Sequence, residues 1–362
     1  MSKPDDARVA DDSADIALPW LATPLRDALA TRHAHALLVQ GPGRVGQFEL
    51  ALALAAAWLC EDRARPLVER PCGQCAGCRL IAARSHPDLL VLVPEAMRES
   101  LGLSGGGGEG EEGADGSKRK PSKEIRVEAV RAATAFATTT SARGRGKVVV
   151  VHPAERMNPI AANAFLKTLE EPVGDSRFLL CTADPESLLP TIRSRCQLIA
   201  LGTPEIALAE AWLVRHDVDS PAVLLAGSGG QPQEALEWAA NGIDASAWQA
   251  LPRRIARGET AALRGWPLAW AVAVLQKICH DAAALAFGAE PRYFPRQAIP
   301  AGADLDALLR AARELRRFAA EAEHPWSSDL ALESLVEQTR EALKTPRSPG
   351  REGKALSVNS AR

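Results

Sequence analysis

The chain has few aromatic residues and almost no net charge. Aromatic residues make up 4% of its 362 positions, and 43 lysines and arginines nearly balance 45 aspartates and glutamates, so the formal net charge is −2. A chain this close to neutrality has no global positive field, so any contact with nucleic acid must come from a local patch or from a partner protein. Otherwise the composition is that of an ordinary soluble globular protein.

Long apolar runs are also lacking. The most apolar stretch, residues 266–285, is interrupted by four polar residues between 276 and 281, and so falls short of the roughly 20 apolar residues that a membrane span requires. The first 15 residues are polar and acidic and do not contain the apolar centre of a signal peptide. These features predict a cytoplasmic protein without a membrane partner.

Five short apolar runs predict the strands of a parallel sheet. The runs are continuous and not alternating, which is typical of strands covered on both faces by helices. Helical patterns over 47–60, 127–138 and 159–170 alternate with them, as in an α/β fold. The predicted strands are Ala36–Gln40, Leu89–Val93, Lys147–Val151, Arg177–Thr182 and Gln197–Leu201.

The rest of the chain divides into low-complexity and helical segments. Residues 1–18 and 345–362 are expected to be disordered, as is an insertion at about 97–124 that is rich in glycine and charge and too poor in apolar residues to form a core. The basic end of the insertion could touch DNA, although a solvated linker is the stronger interpretation. After the α/β region at 19–202, breaks in a helical pattern predict a small helical domain at 203–243 and a larger one at 244–344.

A glycine-rich turn, GPGRVGQF at 41–48, follows the first predicted strand. A phosphate loop reads GxxxxGK[ST], in which the lysine neutralises phosphate and the hydroxyl holds Mg²⁺. Here the glycine spacing is right, but glutamine replaces the lysine and phenylalanine replaces the hydroxyl. For ATP hydrolysis we favour the interpretation as a simple turn between strand and helix. The degenerate loop comprises Gly41, Gly43, Gly46, Gln47 and Phe48.

The third predicted strand ends without the acidic pair that an ATPase of this type uses. Such a pair binds Mg²⁺ and activates water, whereas this strand ends in His152-Pro153, with Glu155 two positions too late. His152 by itself fits a strand-end residue better than a metal ligand. Both parts of the magnesium chemistry are therefore predicted to be missing.

Four of the seven cysteines, Cys60, Cys72, Cys75 and Cys78, lie within nineteen residues. An odd total in a long chain argues against a disulfide framework, and this spacing can supply the four thiolates of a tetrahedral zinc site. The segment is too short to form a core of its own, and a metal ion would hold it together. Structural zinc is the favoured interpretation, with redox chemistry or idle thiols as the alternatives.

Two arginines, Arg193 and Arg195, precede the fifth predicted strand in the run TIRSRC at 191–196. A solvated loop with local salt bridges is the ordinary interpretation of such a run. A guanidinium is also the group that one protein supplies to another to stabilise a phosphoryl group in transfer. The run on its own leaves both interpretations open.

Taken together, these motifs resemble the clamp-loader branch of the AAA+ ATPases. Residues 163–172, NAFLKTLEEP, are similar to the family's NALLKTLEEP helix, Ser194-Arg195-Cys196 matches its SRC motif, and His86-Pro87-Asp88 matches as well. The resemblance is strong over about 20–202 and weaker to about 242. It implies an AAA+ core of five parallel strands with helices on both faces, then a small helical lid and an all-α collar that holds a ring together.

Within that branch, the departures from the family pattern point to one kind of subunit. The motor subunits keep the lysine, the hydroxyl and the acidic pair, and this chain keeps none of them. In the lid, Gln233 occupies the position of the family's nucleotide-sensing arginine. The resemblance therefore implies a stationary subunit that hydrolyses no ATP, and whose Arg195, with Ser194 and Cys196 completing the motif, is an arginine finger in trans.

The resemblance also implies partners. They are the ATPase subunits and the delta subunit of a hetero-pentameric clamp loader, within a replicative DNA polymerase holoenzyme, with primed DNA and the sliding clamp reached through the complex. Two alternatives stay open. One is an active clamp-loader ATPase, which Gln47 and Phe48 oppose. The other is a zinc-containing DNA-binding regulator, which the small net charge opposes.

Overall fold

The computed structural model describes residues 18–31, 34–103, 121–320 and 328–344. The predictions of disorder for most of the N-terminus, for the centre of the insertion and for the C-terminal tail fall on residues outside these ranges. The chain divides into two compact units, Met1–His216 with Gly230–Glu234 and Asp217–Gly229 with Ala235–Arg362. The domain boundaries expected near 202 and 243 stay predictions.

The first unit contains a five-stranded sheet in which every neighbouring pair of strands is parallel. The strand order is β2-β3-β4-β1-β5, so the first strand lies between the fourth and the fifth. All five predicted strands are confirmed, each to within one residue at either end. The strands are β1 Ala36–Gln40, β2 Leu89–Leu92, β3 Lys147–Val151, β4 Ser176–Thr182 and β5 Gln197–Ala200.

Helices cover both faces of this sheet, and in its three central strands every residue except the half-buried Gln40 and Arg177 is buried. Leu38, Val149 and Phe178 pack in one cluster with α4 and α5, where Phe165 meets Phe178 edge to face at 5.5 Å. The alternate residues, such as Leu37 and Val150, are equally buried but lie outside that cluster, and α2 packs on the sheet as well. The helices are α1 Ala22–Thr31, α2 Gln47–Leu59, α3 Ala76–Ala82, α4 Val127–Thr138, α5 Pro159–Glu170, α6 Pro190–Arg193 and α7 Ile206–Arg215.

The two ends of the predicted insertion meet. The Ser122 N–H donates to Glu95 Oε2 over 2.8 Å, and the Ala96 N–H donates to the Ser122 carbonyl over 3.0 Å. Residues 97–103 and 121–124, which were included in the expected disordered segment, are thus placed by backbone hydrogen bonds and turns. The insertion therefore leaves the core and returns to it at one point.

The second unit is helical over its described residues, as the sequence pattern predicts. Its core contains a column of three stacked rings, with Trp248 4.6 Å from Trp238 and 4.7 Å from Phe294. The Lys277 ammonium lies 4.6 Å from the centre of the Trp238 ring, which adds a cation–π contact. The helices are α8 Pro221–Ser228, α9 Pro232–Ala240, which begins in the first unit, α10 Ala245–Ala256, α11 Leu268–Ala286, α12 Leu305–Ala320 and α13 Ser328–Leu343.

Helix α11 is long and apolar enough, by length and composition alone, to cross a membrane. It packs against α12 and α13, and the core helix of a soluble protein passes the same test. Its Asp281 is fully buried and accepts hydrogen bonds from the backbone N–H groups of Tyr293 and Phe294 over 2.7 and 2.9 Å. A carboxylate used in this way fits a helix inside a folded domain.

Candidate nucleotide site and metal centre

The glycines of the phosphate loop are required by local packing, with or without a nucleotide. Gly46 caps α2 with a φ of 105°, and a Cβ there would lie 2.6 Å from Leu18 Cδ1 and 2.9 Å from Leu21 Cδ1. At Gly41 a Cβ would lie 2.6 Å from the Leu201 carbonyl oxygen. Packing alone therefore accounts for glycine at these two positions, whatever the chemistry of the loop.

The Gln47 side chain fills the loop. It is 6% exposed, and its Nε2 donates to the carbonyl oxygens of Gly41 and Pro42 over 2.8 and 2.5 Å. In a working loop this position carries a lysine that reaches the phosphates. Here the side chain's donors are bound to the loop itself, so the loop is closed by its own hydrogen bonds.

Phe48 and His152 stand at the two positions that would hold Mg²⁺, and their rings stack on each other. The ring centres are 4.9 Å apart and the planes differ by 26°. Burial lowers the pKa of His152 to about 4, so the ring is uncharged at neutral pH. An aromatic pair thus occupies the place where the ATPases of this branch have a hydroxyl and a carboxylate.

Glu155 and Gln233 each direct a polar atom at another protein group. Glu155 Oε1 accepts the Ala183 N–H over 3.1 Å, so this carboxylate is bound to the loop after β4. Gln233, at the position expected for a nucleotide-sensing arginine, donates from Nε2 to Glu49 Oε1 over 2.7 Å, at the start of α2. Neither residue presents a charge to a phosphate group.

A cleft of about 300 Å³ lies beside the phosphate loop. Its lining contains no lysine or arginine, and Trp20 on one wall donates its indole N–H to the Val45 carbonyl over 2.8 Å. This lining offers no cation to a phosphate. The lining residues are Pro19, Trp20, Thr23, Pro24, Val45, Ala200, Leu201, Gly202, Thr203, Pro204, Glu205 and Leu208.

The four clustered cysteines converge on one point. Their Sγ atoms all lie within 4.8 Å of one another, with Cys60 and Cys75 4.0 Å apart and Cys72 and Cys78 3.9 Å apart. Four sulfurs around a tetrahedral ion with metal–sulfur bonds of about 2.3 Å would be about 3.8 Å apart. The cluster can therefore hold a structural metal ion with little movement.

Backbone donors favour thiolates at this centre. Burial would raise the pKa of Cys75, but the N–H groups of Cys78 and Glu61, 3.3 and 3.4 Å from its Sγ, bring the pKa down to about 7. Burial raises the pKa of Cys60 and of Cys78. A bound metal ion deprotonates such thiols outright, and so would offset the effect of burial on the other ligands.

The SRC segment follows the short helix α6 and is tied to the end of α5. Arg195 donates from Nη2 and Nε to Glu170 Oε2 over 3.1 and 3.3 Å, and from Nη1 to the Thr191 carbonyl over 3.1 Å. The Arg195 side chain is 30% exposed. Ser194 donates its hydroxyl to the same carbonyl over 3.1 Å, while burial raises the pKa of Cys196 to about 12, which fits a packing role.

Comparison with known proteins agrees with these features. A family profile described as DNA polymerase III, delta subunit, matches residues 22–205, about half of the chain, including the phosphate loop, the cysteine cluster and the SRC segment. The DNA polymerase III subunit delta′ of Pseudomonas aeruginosa is 41% identical over 216 residues. The chain belongs to the delta-prime family of DNA polymerase III subunits.

The delta-prime relatives match only part of their length. The Pseudomonas aeruginosa alignment covers 59% of this chain and 58% of that protein, and the Escherichia coli K12 subunit delta′, 36% identical over 225 residues, aligns over 60% and 59%. The chain thus spans less than two thirds of these relatives. A solved gamma subunit-related protein of DNA polymerase III from Thermotoga maritima has a TM-score of 0.46 at 16% identity, covering 89% of this chain and 99% of that one.

Membership in the delta-prime family confirms the family that the sequence motifs resemble. Several features of the site could not be predicted from the sequence. They are the pairing of Glu170 with Arg195, the stacking of Phe48 on His152 and the environment of Asp88. The one signal for Asp88 was its place in His86-Pro87-Asp88, directly before a buried strand, where a charged residue needs a partner.

Proposed function

We propose that this delta-prime chain is a clamp-loader subunit that hydrolyses no ATP and supplies Arg195 to ATP bound by a neighbouring subunit. The observation that carries the proposal is the closed phosphate loop, in which the Gln47 amide bonds to the carbonyls of Gly41 and Pro42. An arginine kept in a chain without its own nucleotide chemistry has a use if the nucleotide belongs to a neighbour.

Restoring an ATP site would take several changes at once. Binding of phosphates would require Gln47 to release two hydrogen bonds, and binding of Mg²⁺ would require ligands where Phe48 and His152 now stack. Unpairing a buried hydrogen-bonding group costs about 1–3 kcal/mol. Loss of the charge on the missing lysine adds to that cost, so ATP binding is disfavoured at both the phosphate and the Mg²⁺ positions.

The contacts of Arg195 leave it available to a partner. Its ion pair with Glu170 is at the surface, since the two side chains are 30% and 58% exposed, and such pairs are worth about 0–1 kcal/mol. Exchange of this carboxylate for phosphate oxygens therefore costs little. The hydrogen bond to the Thr191 carbonyl, which this exchange does not require to break, orients the guanidinium before a neighbour arrives and so reduces the entropy lost on binding.

For the cysteine cluster we propose structural zinc. Thiolate ligands favour zinc, and four protein ligands would leave no open position for a substrate. Bound zinc would close a staple between the end of α2, where Cys60 lies, and the N-terminus of α3, which Cys75 caps. Cys60, Cys72, Cys75 and Cys78 would hold the ion, and its contribution would be to folding.

The proposed partners follow from the family. Relatives of this chain carry the names of DNA polymerase III subunits, and the tau subunit of Salmonella typhimurium is 32% identical over 162 residues. We propose assembly with ATPase subunits and delta in a cytoplasmic pentamer that places a sliding clamp on primed DNA. The chain would then be part of a polymerase holoenzyme without performing synthesis itself.

A nucleotide-binding measurement on the isolated chain separates this proposal from an active ATPase. Titration with a fluorescent ATP analogue and Mg²⁺ is expected to give no saturable binding, while the ATPase subunit of the same loader, as the positive control, binds. Turnover by the pure chain that disappears in Gly46→Ala would contradict the proposal. DNA binding by the chain alone, with a steep dependence on salt concentration, would instead favour the zinc-containing regulator.

A further inference from the structure

The His86-Pro87-Asp88 motif has no role in the nucleotide chemistry, yet its carboxylate is one of the most buried charges in the first unit. Asp88 is fully buried directly before β2. It accepts the Ser141 hydroxyl over 2.9 Å, the Ala142 and Arg143 N–H groups over 2.8 and 2.9 Å, and the Lys147 ammonium over 3.3 Å. Asp88 therefore fixes the loop that joins α4 to β3.

The same loop reaches the cysteine cluster through Arg143. Arg143 Nε donates to Glu61 Oε1, and Glu61 directly follows Cys60 in the chain. The Glu61 N–H donates to Cys75 Sγ over 3.4 Å, and its side chain lies 3.5 Å from the point where a Cβ at Gly77 would stand. A continuous series of contacts thus joins the sheet to two of the four thiols.

We propose that Asp88, Arg143 and Glu61 form a clasp that holds the four-cysteine cluster on the core and positions Cys60 and Cys75 for the metal. Asp88 holds the loop, the loop presents Arg143, and Arg143 holds Glu61. None of the three is among the four cysteines that would hold the metal ion, so all are positioning residues. The inference rests on the metal binding put forward under Proposed function, and it gives Asp88 a role that the nucleotide chemistry does not.

The expected size of the effect follows from the exposure of the clasp. Loss of a group that orients metal ligands typically lowers metal affinity 10- to 100-fold. The side chains of Arg143 and Glu61 are 31% and 27% exposed, so solvent partly screens their attraction. We therefore expect an effect near the lower end of that roughly 10- to 100-fold range. Loss of the Arg143–Glu61 contact should make release of the metal roughly tenfold faster.

The test measures zinc release from the purified full chain to a metallochromic chelator. Arg143→Ala and Glu61→Ala are each expected to release zinc about tenfold faster, and the double variant no faster than either, because both remove the same contact. Arg65→Ala is the matched control. Arg65 belongs to the same segment but pairs with Asp62 over 3.7 Å, and its loss should leave the rate unchanged.

Two further readouts separate positioning of the ligands from general stability. The absorption bands of Co²⁺ bound in place of zinc report the geometry of the four thiolates, and they should shift in Arg143→Ala but not in Arg65→Ala. Arg143→Lys should release zinc more slowly than Arg143→Ala, but faster than the wild type. Asp88→Asn tests the core end of the clasp. If the Asp88→Asn variant does not fold, Ser141→Ala takes its place. It deletes one donor to Asp88, so its rate of zinc release should lie between those of the wild type and Arg143→Ala.

The outcomes bear on the two proposals differently. Zinc bound normally and released by Arg143→Ala at the wild-type rate would overturn the clasp and leave the metal site standing. Purely additive effects of Arg143→Ala and Glu61→Ala would also overturn it. A freshly reduced wild-type chain that contains no zinc, and takes up none, would overturn the metal site and the clasp together.

Discussion

The phosphate loop and the Ser194-Arg195-Cys196 segment both belong to the nucleotide chemistry of the clamp-loader branch, but they hold their polar side chains in different ways. Gln47 is buried, and its amide is bound to carbonyls of its own loop. Arg195 is partly exposed and pairs with a carboxylate that is 58% exposed. The first arrangement closes a site, and the second keeps a cation ready at the surface.

The difference shows that the residues of a motif do not alone decide whether its side chains can contact a phosphate. The contacts that those side chains already make decide it as well. Withdrawing the buried Gln47 amide from the carbonyls of Gly41 and Pro42 would leave it without these partners, at a cost of about 1–3 kcal/mol. Moving Arg195 from Glu170 to a phosphate breaks only a surface ion pair. Such a pair contributes about 0–1 kcal/mol to stability. The four predictions below test this contrast.

The largest expected effect comes from Arg195. In the reconstituted clamp loader, Arg195→Ala should slow hydrolysis at the site that receives the arginine by roughly 10³–10⁵, with a smaller loss in total rate because other sites contribute. Arg195→Lys should rescue poorly, since an ammonium lacks the planar fork of the guanidinium. The measurements are the steady-state ATPase and clamp-loading rates of the complex.

Arg193→Ala is the matched control for that prediction. Arg193 lies two residues away and pairs with the exposed Glu186 over 3.0 Å, so its loss should leave both rates nearly unchanged. Equal rates for wild-type and Arg195→Ala complexes would show that Arg195 has no role in ATP hydrolysis. Both segments would then be inactive, and the chain would be a scaffold only.

A cysteine variant tests how much a bound metal ion contributes to folding of the first unit. Cys78→Ser should remove the metal and destabilise the local module, because metal binding and folding are coupled. The free energy of unfolding should fall by several kcal/mol. This is less than the roughly 10–16 kcal/mol by which zinc binding stabilises zinc-finger peptides, because the sheet remains folded without the metal. Zinc content by elemental analysis and unfolding in urea check this, with Cys279→Ser, which is not one of the four clustered cysteines, as the control.

The Phe48–His152 pair predicts a dependence of stability on pH. Burial lowers the pKa of His152 from 6.5 to about 4, so the unfolded chain takes up this proton first as the pH falls. The histidine's contribution is complete above pH 6.5 and is lost between 6.5 and about 4. Since one pKa unit corresponds to about 1.4 kcal/mol, roughly 2 kcal/mol should be lost by pH 5.

The variant His152→Phe isolates this contribution because it keeps the ring stack and removes the titrating group. Urea unfolding at pH 7.5 and at pH 5 should show a smaller loss of unfolding free energy in the variant than in the wild type. Burial also lowers the pKa of His86, but this affects both proteins and cancels in the comparison. Equal losses in the two proteins would show that His152 titrates normally.

The smallest expected effect is that of Gln47→Lys. This change supplies the missing cation, but Phe48 and His152 still stack where Mg²⁺ would bind, so neither ATP turnover nor Mg²⁺-dependent ATP binding should appear. Isothermal titration with Mg²⁺-ATP is the check, with Gln47→Ala as the control. Turnover by the single variant would show that the loop is closed by one residue alone.

Much of the first unit could be predicted from the sequence, because its signals are local. Continuous apolar runs such as Lys147–Val151 form buried strands in any fold that covers both faces of a sheet. The predicted ends of the five strands differ from the observed ends by at most one residue. The proposed loss of phosphate chemistry rests on residue identity, since neither Gln47 nor Phe48 can supply a cation or a metal ligand. The cysteine spacing likewise predicted four converging thiols.

The contacts that close or connect these sites were decided by the tertiary structure. The strand order places β3 between β2 and β4, and only then do Phe48 and His152 stack, Asp88 bind the loop before β3, and Glu170 receive Arg195. Each contact joins residues far apart in the chain. A local pattern specifies which face of a strand or helix is buried, but it carries no information about which distant element packs there.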